Sequence, residues 1–226
     1  MLVLVTNRRI GGTCFLDRLE EAVSGGVDRV ILREKDLEPE DLVILGREVK
    51  RRIQPWGASL FINSDLQTAL GTWEQIGAEG IHLTLSDYEL YTQPQEAKPG
   101  SAGVEGVGRT QSIRVGVSVH SEMEVRSIVA GQKNLQPEYF LAGHIFQTDC
   151  KKDLPGRGLA FLQSVRKAAG AIPVVAIGGI GAENAGDVVA AGADGIAVMS
   201  GFMKSGGKEL ARRIRLALNG GHGKVD

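Results

Sequence analysis

The sequence predicts a single (β/α)8 TIM barrel, and three observations predict it. Eight short apolar runs rich in β-branched residues recur along the 226 residues. Seven of them are followed by an amphipathic stretch of helical period. The later runs, such as "VVAIGG" and "GIAVM", are continuously apolar, as parallel strands covered on both faces must be. Eight βα units in a chain near the ~250 residues typical of such barrels leave a doubly wound open sheet, with commonly fewer strands, as the alternative.

In chain order, "LVLVT" (2–6) precedes a helix with Phe15, Leu16, Leu19, Ala22 and Val23 on one face, and "RVILREK" (29–35) precedes Leu42, Leu45, Val49 and Ile53. "SLFINS" (59–64) leads into "DLQTALGTWEQI", and "GIHLT" (80–84) follows. "IRVGVSVH" (113–120) precedes "SEMEVRSIVAG", and "YFLAGHIF" (139–146) precedes Leu159, Leu162, Val165 and Ala169. "PVVAIGGI" (173–180) precedes "NAGDVVAAG", and "GIAVMSG" (195–201) precedes "KELARRIRLALNG". One unit departs from the rule. Residues 85–112 hold Pro94, Pro99 and "GSAGVEGVG" with no amphipathic period, so the helix after strand four is expected to be short or missing. The catalytic barrel is assigned to 1–219, and "GGHGKVD" (220–226) reads as a flexible tail.

Composition narrows the function classes. A net charge of −1 and 5% aromatics supply neither the basic surface nor the stacking platform of a nucleic-acid binder. Cys14 and Cys150 form neither a disulfide framework nor a CxxC metal pattern, which suits a reducing cytoplasm. "MLVLVTNRRI", apolar before basic, is too short to cross a membrane and has the reverse order of a signal peptide.

In this fold the chemistry sits at the C-terminal ends of the strands. Polar residues gather there: Arg33, Glu34 and Lys35; Asn63, Ser64 and Asp65; His82; Ser118, His120 and Ser121; His144, Thr148 and Lys151. Strands seven and eight instead end in Gly178, Gly179, Ser200 and Gly201, whose loops are the fold's usual phosphate site. They predict a substrate carrying a phosphate monoester, although the same glycines could serve tight turns alone. Phe140, Ala142 and His144 share one strand face; if that face is the interior, His144 stands at the barrel's rim, and histidine is the residue type best able to take and return a proton. Cys150 lacks an acid–base partner and reads as a packing residue. Lys151 suits an anion, Lys152 solvent. His82 reads as structural, His120 as structural or ligand-supporting, and His222 as without a role.

The motifs "ILREK", "LFIN", "HL", "VGVSVHS", "PVVAIGGI" and "AGADGIAVMSG", in this order, resemble the thiamin phosphate synthase superfamily. Within it "GHIFQTDCKKDLPGRG" is similar to the TenI branch, the thiazole tautomerases of thiamin biosynthesis. Three departures from the synthases point to that branch, one being "HLTLSD", which keeps Asp87 but lacks the synthases' Gly-Gln pair. Synthases read Asn-Asp-Arg and Gly-Pro where this chain has Asn63-Ser64-Asp65 and Gly143-His144. The resemblance implies an isomerase that aromatises a thiazole carboxylate phosphate by a proton shift, with His144 catalytic and neither metal nor cofactor. It implies phosphate on Gly178, Gly179, Ser200 and Gly201, and the rest of the substrate near Arg33, Lys35, Asn63, His120, Thr148 and Lys151. The alternatives are a synthase joining thiazole phosphate to hydroxymethylpyrimidine pyrophosphate, with Mg²⁺ on Asp65 or Asp87, and a non-catalytic thiazole phosphate-binding regulator. The expected partner is therefore a small phosphorylated thiazole. A homodimer through exposed barrel loops is compatible with the sequence, which does not fix the oligomeric state.

Overall fold

The strand-forming runs pair in chain order: β1 (Leu2–Val5), β2 (Arg29–Leu32), β3 (Ser59–Ile62), β4 (Gly80–Leu83), β5 (Arg114–Val119), β6 (Tyr139–Gly143), β7 (Val174–Ile177) and β8 (Gly195–Val198). All neighbours are parallel, and β8 returns to β1 with Leu2 opposite Ile196, so the sheet closes as the sequence predicts and no edge is left to aggregate. This computed structural model describes residues 1–93, 113–131, 136–148, 154–204 and 206–220.

The helices are α1 (Arg8–Gly11), α2 (Phe15–Ser24), α3 (Pro39–Ile53), α4 (Leu66–Ile76), α5 (Leu85–Thr92), α6 (Glu122–Ala130), α7 (Gly158–Ala169), α8 (Ala185–Ala190), α9 (Ser200–Met203) and α10 (Gly207–Gly220). Their apolar faces follow the helical period. On α2, Phe15, Leu19, Ala22 and Val23 are buried at spacings of four, three and one. The unit after β4 carries the short helix α5, and the remainder of that loop, 94–112, lies outside the described residues, as does 221–226 of the tail.

Side-chain alternation splits the core in two. Leu2, Leu4, Val30, Leu32, Phe140 and Ala142 face outward and pack with the helices. Val3, Val5, Ile31, Phe61, Tyr139, Leu141, Val175 and Ala197 fill the barrel. The condition set on strand six is not met: Tyr139 and Leu141 point inward, and Phe140 and Ala142 do not. His144 lies one residue beyond β6, where the pleat no longer sets side-chain direction.

The lower interior is polar and aromatic. The Arg29 side chain, 4% exposed, lies 3.9 Å over the Phe61 ring and 4.8 Å over that of Tyr139. Its Nε donates to Ser59 Oγ at 3.1 Å and its Nη2 to Glu138 Oε1 at 2.7 Å. Gly116 makes room for this layer, because a Cβ there would overlap the Tyr139 ring.

Candidate active site

The sequence-based strands overrun the observed ones at their C-terminal ends, and the overrun is where the site lies. Thr6, Arg33, Asn63, His120, His144, Gly178 and Met199 all stand just beyond their strands, released from the ladder to form the mouth of the barrel. All of these but the buried Thr6 line a cavity of about 600 Å³, large enough for a small phosphorylated ligand.

Each polar wall of the cavity is held by its own local device. The Thr6 hydroxyl donates to Glu34 Oε1 at 2.7 Å and accepts from the Arg33 N–H at 2.9 Å. Glu34, 5% exposed, also accepts from the Arg8 N–H at 3.0 Å. These bonds tie the β1 and β2 loops together and set Asn7 and Arg33 against the cavity. Asn63 Nδ2 donates to the His82 carbonyl at 2.7 Å, locking the end of β3 to β4. His120 donates its N–H to Glu124 Oε2, while the Ser121 hydroxyl accepts from the Glu124 N–H at 3.2 Å: a reciprocal cap that starts α6.

Below the mouth, His82 is buried with both ring nitrogens engaged. Nδ1 lies 2.9 Å from the Tyr139 hydroxyl and Nε2 lies 2.8 Å from Ser118 Oγ. Burial, with the Arg29 cation adding to it, pushes the His82 pKa down to about 3, so its imidazole is neutral at physiological pH. His82 and Ser118 both reach the cavity floor.

His144 lines the cavity and is 7% exposed. Its Nε2 donates to the Leu154 carbonyl at 3.3 Å, and its buried Nδ1 has no hydrogen-bond partner among the described residues. The β7 turn explains the close packing. Gly178 and Gly179 have φ of 109° and 65°, in the left-handed region open to glycine. A Cβ on Gly178 would overlap His144, and one on Gly179 would lie 2.6 Å from the Gln147 carbonyl. These glycines therefore permit the turn and let the β6 loop lie against it, while leaving backbone polar groups at the cavity.

Of the residues expected in the site, Arg33, Asn63, His120, His144, Thr148, Gly178, Gly179 and Ser200 line the cavity. Lys35 is exposed outside it, and Lys151 lies outside the described residues. Gly201 does not line it either; a Cβ there would press on Val198 and Leu210 at 3.0 and 2.9 Å, so it serves packing. Asn7, Ser118, Gln147 and Met199 line the cavity without having been chosen as site residues. The strand-end rule reaches Asn7 and Ser118, whereas Met199 gives no polar signal at all.

The Mg²⁺ that the synthase pattern implies finds no fit. Among the described residues no carboxylate lines the cavity. Asp65 Oδ1 caps α4 by accepting from the Thr68 N–H at 3.0 Å, and Asp87 Oδ2 accepts from Thr84 Oγ1 at 2.6 Å at the start of α5. The Thr68 N–H first, then the Thr68 and Ser64 hydroxyls, hold the Asp65 carboxyl below its ordinary pKa, outweighing desolvation. Both carboxylates are committed to helix starts.

Residues 2–202 match the family model described as thiamine monophosphate synthase. The thiamine-phosphate synthase of Methanoregula boonei is 34% identical over 224 residues, covering 96% of this chain and 94% of the relative. That of Albidiferax ferrireducens is 38% identical over 201 residues, covering 88% and 82%. A solved thiamine phosphate pyrophosphorylase from Pyrococcus furiosus shares the fold with a TM-score of 0.74 at 24% identity, covering 98% of this chain and 96% of that one. These relatives overturn the expected thiazole tautomerase, an isomerase working through His144. That expectation gave decisive weight to a few positions, chiefly Ser64 and His144, whereas the likeness along nearly the whole chain runs to proteins named thiamine-phosphate synthase. No helix among the described residues is long and apolar enough to cross a membrane.

Proposed function

The chain belongs to the thiamine monophosphate synthase family, and from that premise we propose that it is itself a thiamine-phosphate synthase, a transferase joining a thiazole phosphate to hydroxymethylpyrimidine pyrophosphate. The observation that carries this reading is near-full-length similarity to curated synthases, at 34% identity over 96% of the chain in the Methanoregula boonei case. The cavity's chemistry is compatible with it. In the reaction, the thiazole ring nitrogen attacks the pyrimidine's methylene carbon. A C–N bond forms, the C–O bond to pyrophosphate breaks, and pyrophosphate leaves with the electron pair.

The reading gives each wall a task. The Gly178–Gly179 turn and Ser200 receive the thiazole phosphate through backbone N–H and hydroxyl groups. Arg33 offers its guanidinium fork to the pyrophosphate. Asn63, His120 and Thr148 orient the two rings for in-line attack, which lowers the barrier chiefly by positioning. His144 has no carbon-bound proton to move in this step; its Nδ1, without a partner among the described residues, offers an acceptor to a donor on the bound substrate.

The test is direct. Full-length protein is mixed with thiazole phosphate and hydroxymethylpyrimidine pyrophosphate, with and without MgCl₂, and thiamin phosphate and released pyrophosphate are measured together. Equal amounts of both products are expected. Saturable binding of thiazole phosphate with no turnover under either condition would overturn the reading and leave a binding protein.

A further inference from the structure

The floor of the cavity has a direction built into it, which follows from counting protons and acceptors. Tyr139 is completely buried, and its hydroxyl lies 2.9 Å from His82 Nδ1, with the Arg29 guanidinium beside it as a second, donor-only partner. Arg29, 4.8 Å from the ring centroid, accepts nothing, and the nearby Glu138 carboxylate takes its bonds from Arg29 and Arg114. A buried phenol must place its proton on an acceptor or lose the hydrogen bond outright. Nδ1 is the acceptor within reach, so the phenol donates to it. The proton of the neutral imidazole then sits on Nε2, 2.8 Å from Ser118 Oγ. Ser118 Oγ accepts that proton's bond, and its own O–H is left to point at the cavity it lines. The opposite arrangement, Nδ1–H donating to the phenol, would strand the Tyr139 proton in the barrel interior.

We propose that Tyr139, acting through His82, is a positioning residue that fixes the Ser118 hydroxyl as a hydrogen-bond donor toward an acceptor atom of the bound phosphorylated ligand. The inference deepens the reading of the site given above and rests on it for one point, that the cavity receives the substrates. It assigns a task to a tyrosine that touches no ligand. It also explains why a histidine too buried to titrate near neutrality occupies the floor: a neutral imidazole transmits donor direction from one side to the other, which an imidazolium, donating on both, does not.

The experiment has two arms on the full chain. In the first, ¹⁵N NMR of histidine-labelled protein reads the nitrogen types of His82, assigned by substituting His120, His144 and His222 in turn. A pyridine-type Nδ1 and a pyrrole-type Nε2, unchanged from pH 5 to 9, are expected. A pyrrole-type Nδ1, or a protonated ring at pH 7, overturns the proposal, and this arm needs no variant of Tyr139 to fold. In the second, inorganic pyrophosphate and thiazole phosphate are titrated separately by calorimetry. Tyr139→Phe, which keeps the ring, is expected to mix the two tautomers and weaken at least one ligand about tenfold, as losing one hydrogen bond does. Ser118→Ala should weaken the same ligand, and the double variant no further than Ser118→Ala alone. Additive losses, or a Ser118→Ala variant that binds both ligands unchanged, overturn the proposal. If the tautomer and the non-additivity hold but no thiamin phosphate forms, this inference stands and the synthase reading falls; turnover with the wrong tautomer does the reverse.

Discussion

Replacing Glu138 by alanine removes the carboxylate that accepts from Arg29 Nη2 at 2.7 Å and leaves a guanidinium buried in the barrel. What remains to Arg29 among the described residues is the bond to Ser59 Oγ at 3.1 Å, the Tyr139 hydroxyl, and the faces of Phe61 and Tyr139, none of them an anion. Breaking a buried pair by deleting one partner costs roughly 3–5 kcal/mol, because the surviving charge stays desolvated. Glu138 is itself 30% exposed, so water can partly replace it and the lower end, about 3 kcal/mol, is expected. Arg114, bound to the same carboxylate but 46% exposed, gives the contrast: Arg114→Ala should cost no more than ~1 kcal/mol. Urea unfolding provides the assay, with a lower midpoint at unchanged slope as the signature of lost stability. Adding Arg29→Met to Glu138→Ala should recover most of the loss, since an apolar side chain removes the stranded charge. Acid supplies a second readout. Burial pushes the Glu138 carboxyl up, but the bonds from Arg114 and Arg29 more than offset it and hold the pKa below its ordinary 4.5. A depressed carboxyl stabilises above its unfolded pKa, and that contribution fades as pH falls through the lower folded value. Below about pH 4.5 the wild type should therefore lose stability toward that of Glu138→Ala. A Glu138→Ala protein within 1 kcal/mol of wild type, or a double variant no better than the single, would refute the idea that a buried charge needs this carboxylate.

Three further outcomes follow from the geometry. Gly178→Ala forces a left-handed residue into contact with His144, so thiazole phosphate affinity should fall at least tenfold, measured by calorimetry, with ~1–3 kcal/mol of stability lost in urea unfolding. Asp65→Ala should cost about 1 kcal/mol as a lost helix cap, whereas Asp65→Asn, which keeps the acceptor, should cost little; equal losses would show that the charge and not the cap matters. Gly116→Ala drives a methyl into the Tyr139 ring and should destabilise by ~1–3 kcal/mol, with the His82 ¹⁵N resonances shifting; an unchanged midpoint would mean that the barrel floor is looser than its packing indicates.

The comparison of sequence with structure is clearest at the strand ends. The rule that polar residues there mark the site found Arg33, Asn63, His120 and His144 on the cavity. The same rule also returned Asp65 and Ser121, which start α4 and α6 instead. A strand end in this fold is also a helix beginning, and both tasks use short polar side chains, so pattern cannot separate them. Met199 shows the converse: an apolar residue lining the cavity gives no such signal.

The sequence by itself determined the eightfold βα order, the closed parallel sheet and the end of the barrel that carries the chemistry, because apolar periodicity and turn glycines are local and additive along the chain. Only the tertiary structure decided which face of β6 points inward, that Asp65 and Asp87 serve caps, and that Tyr139, His82 and Ser118 form one hydrogen-bonded line. The residues of that line lie 57 and 36 positions apart in sequence for its two bonds, and no local rule relates groups that meet only when the barrel closes.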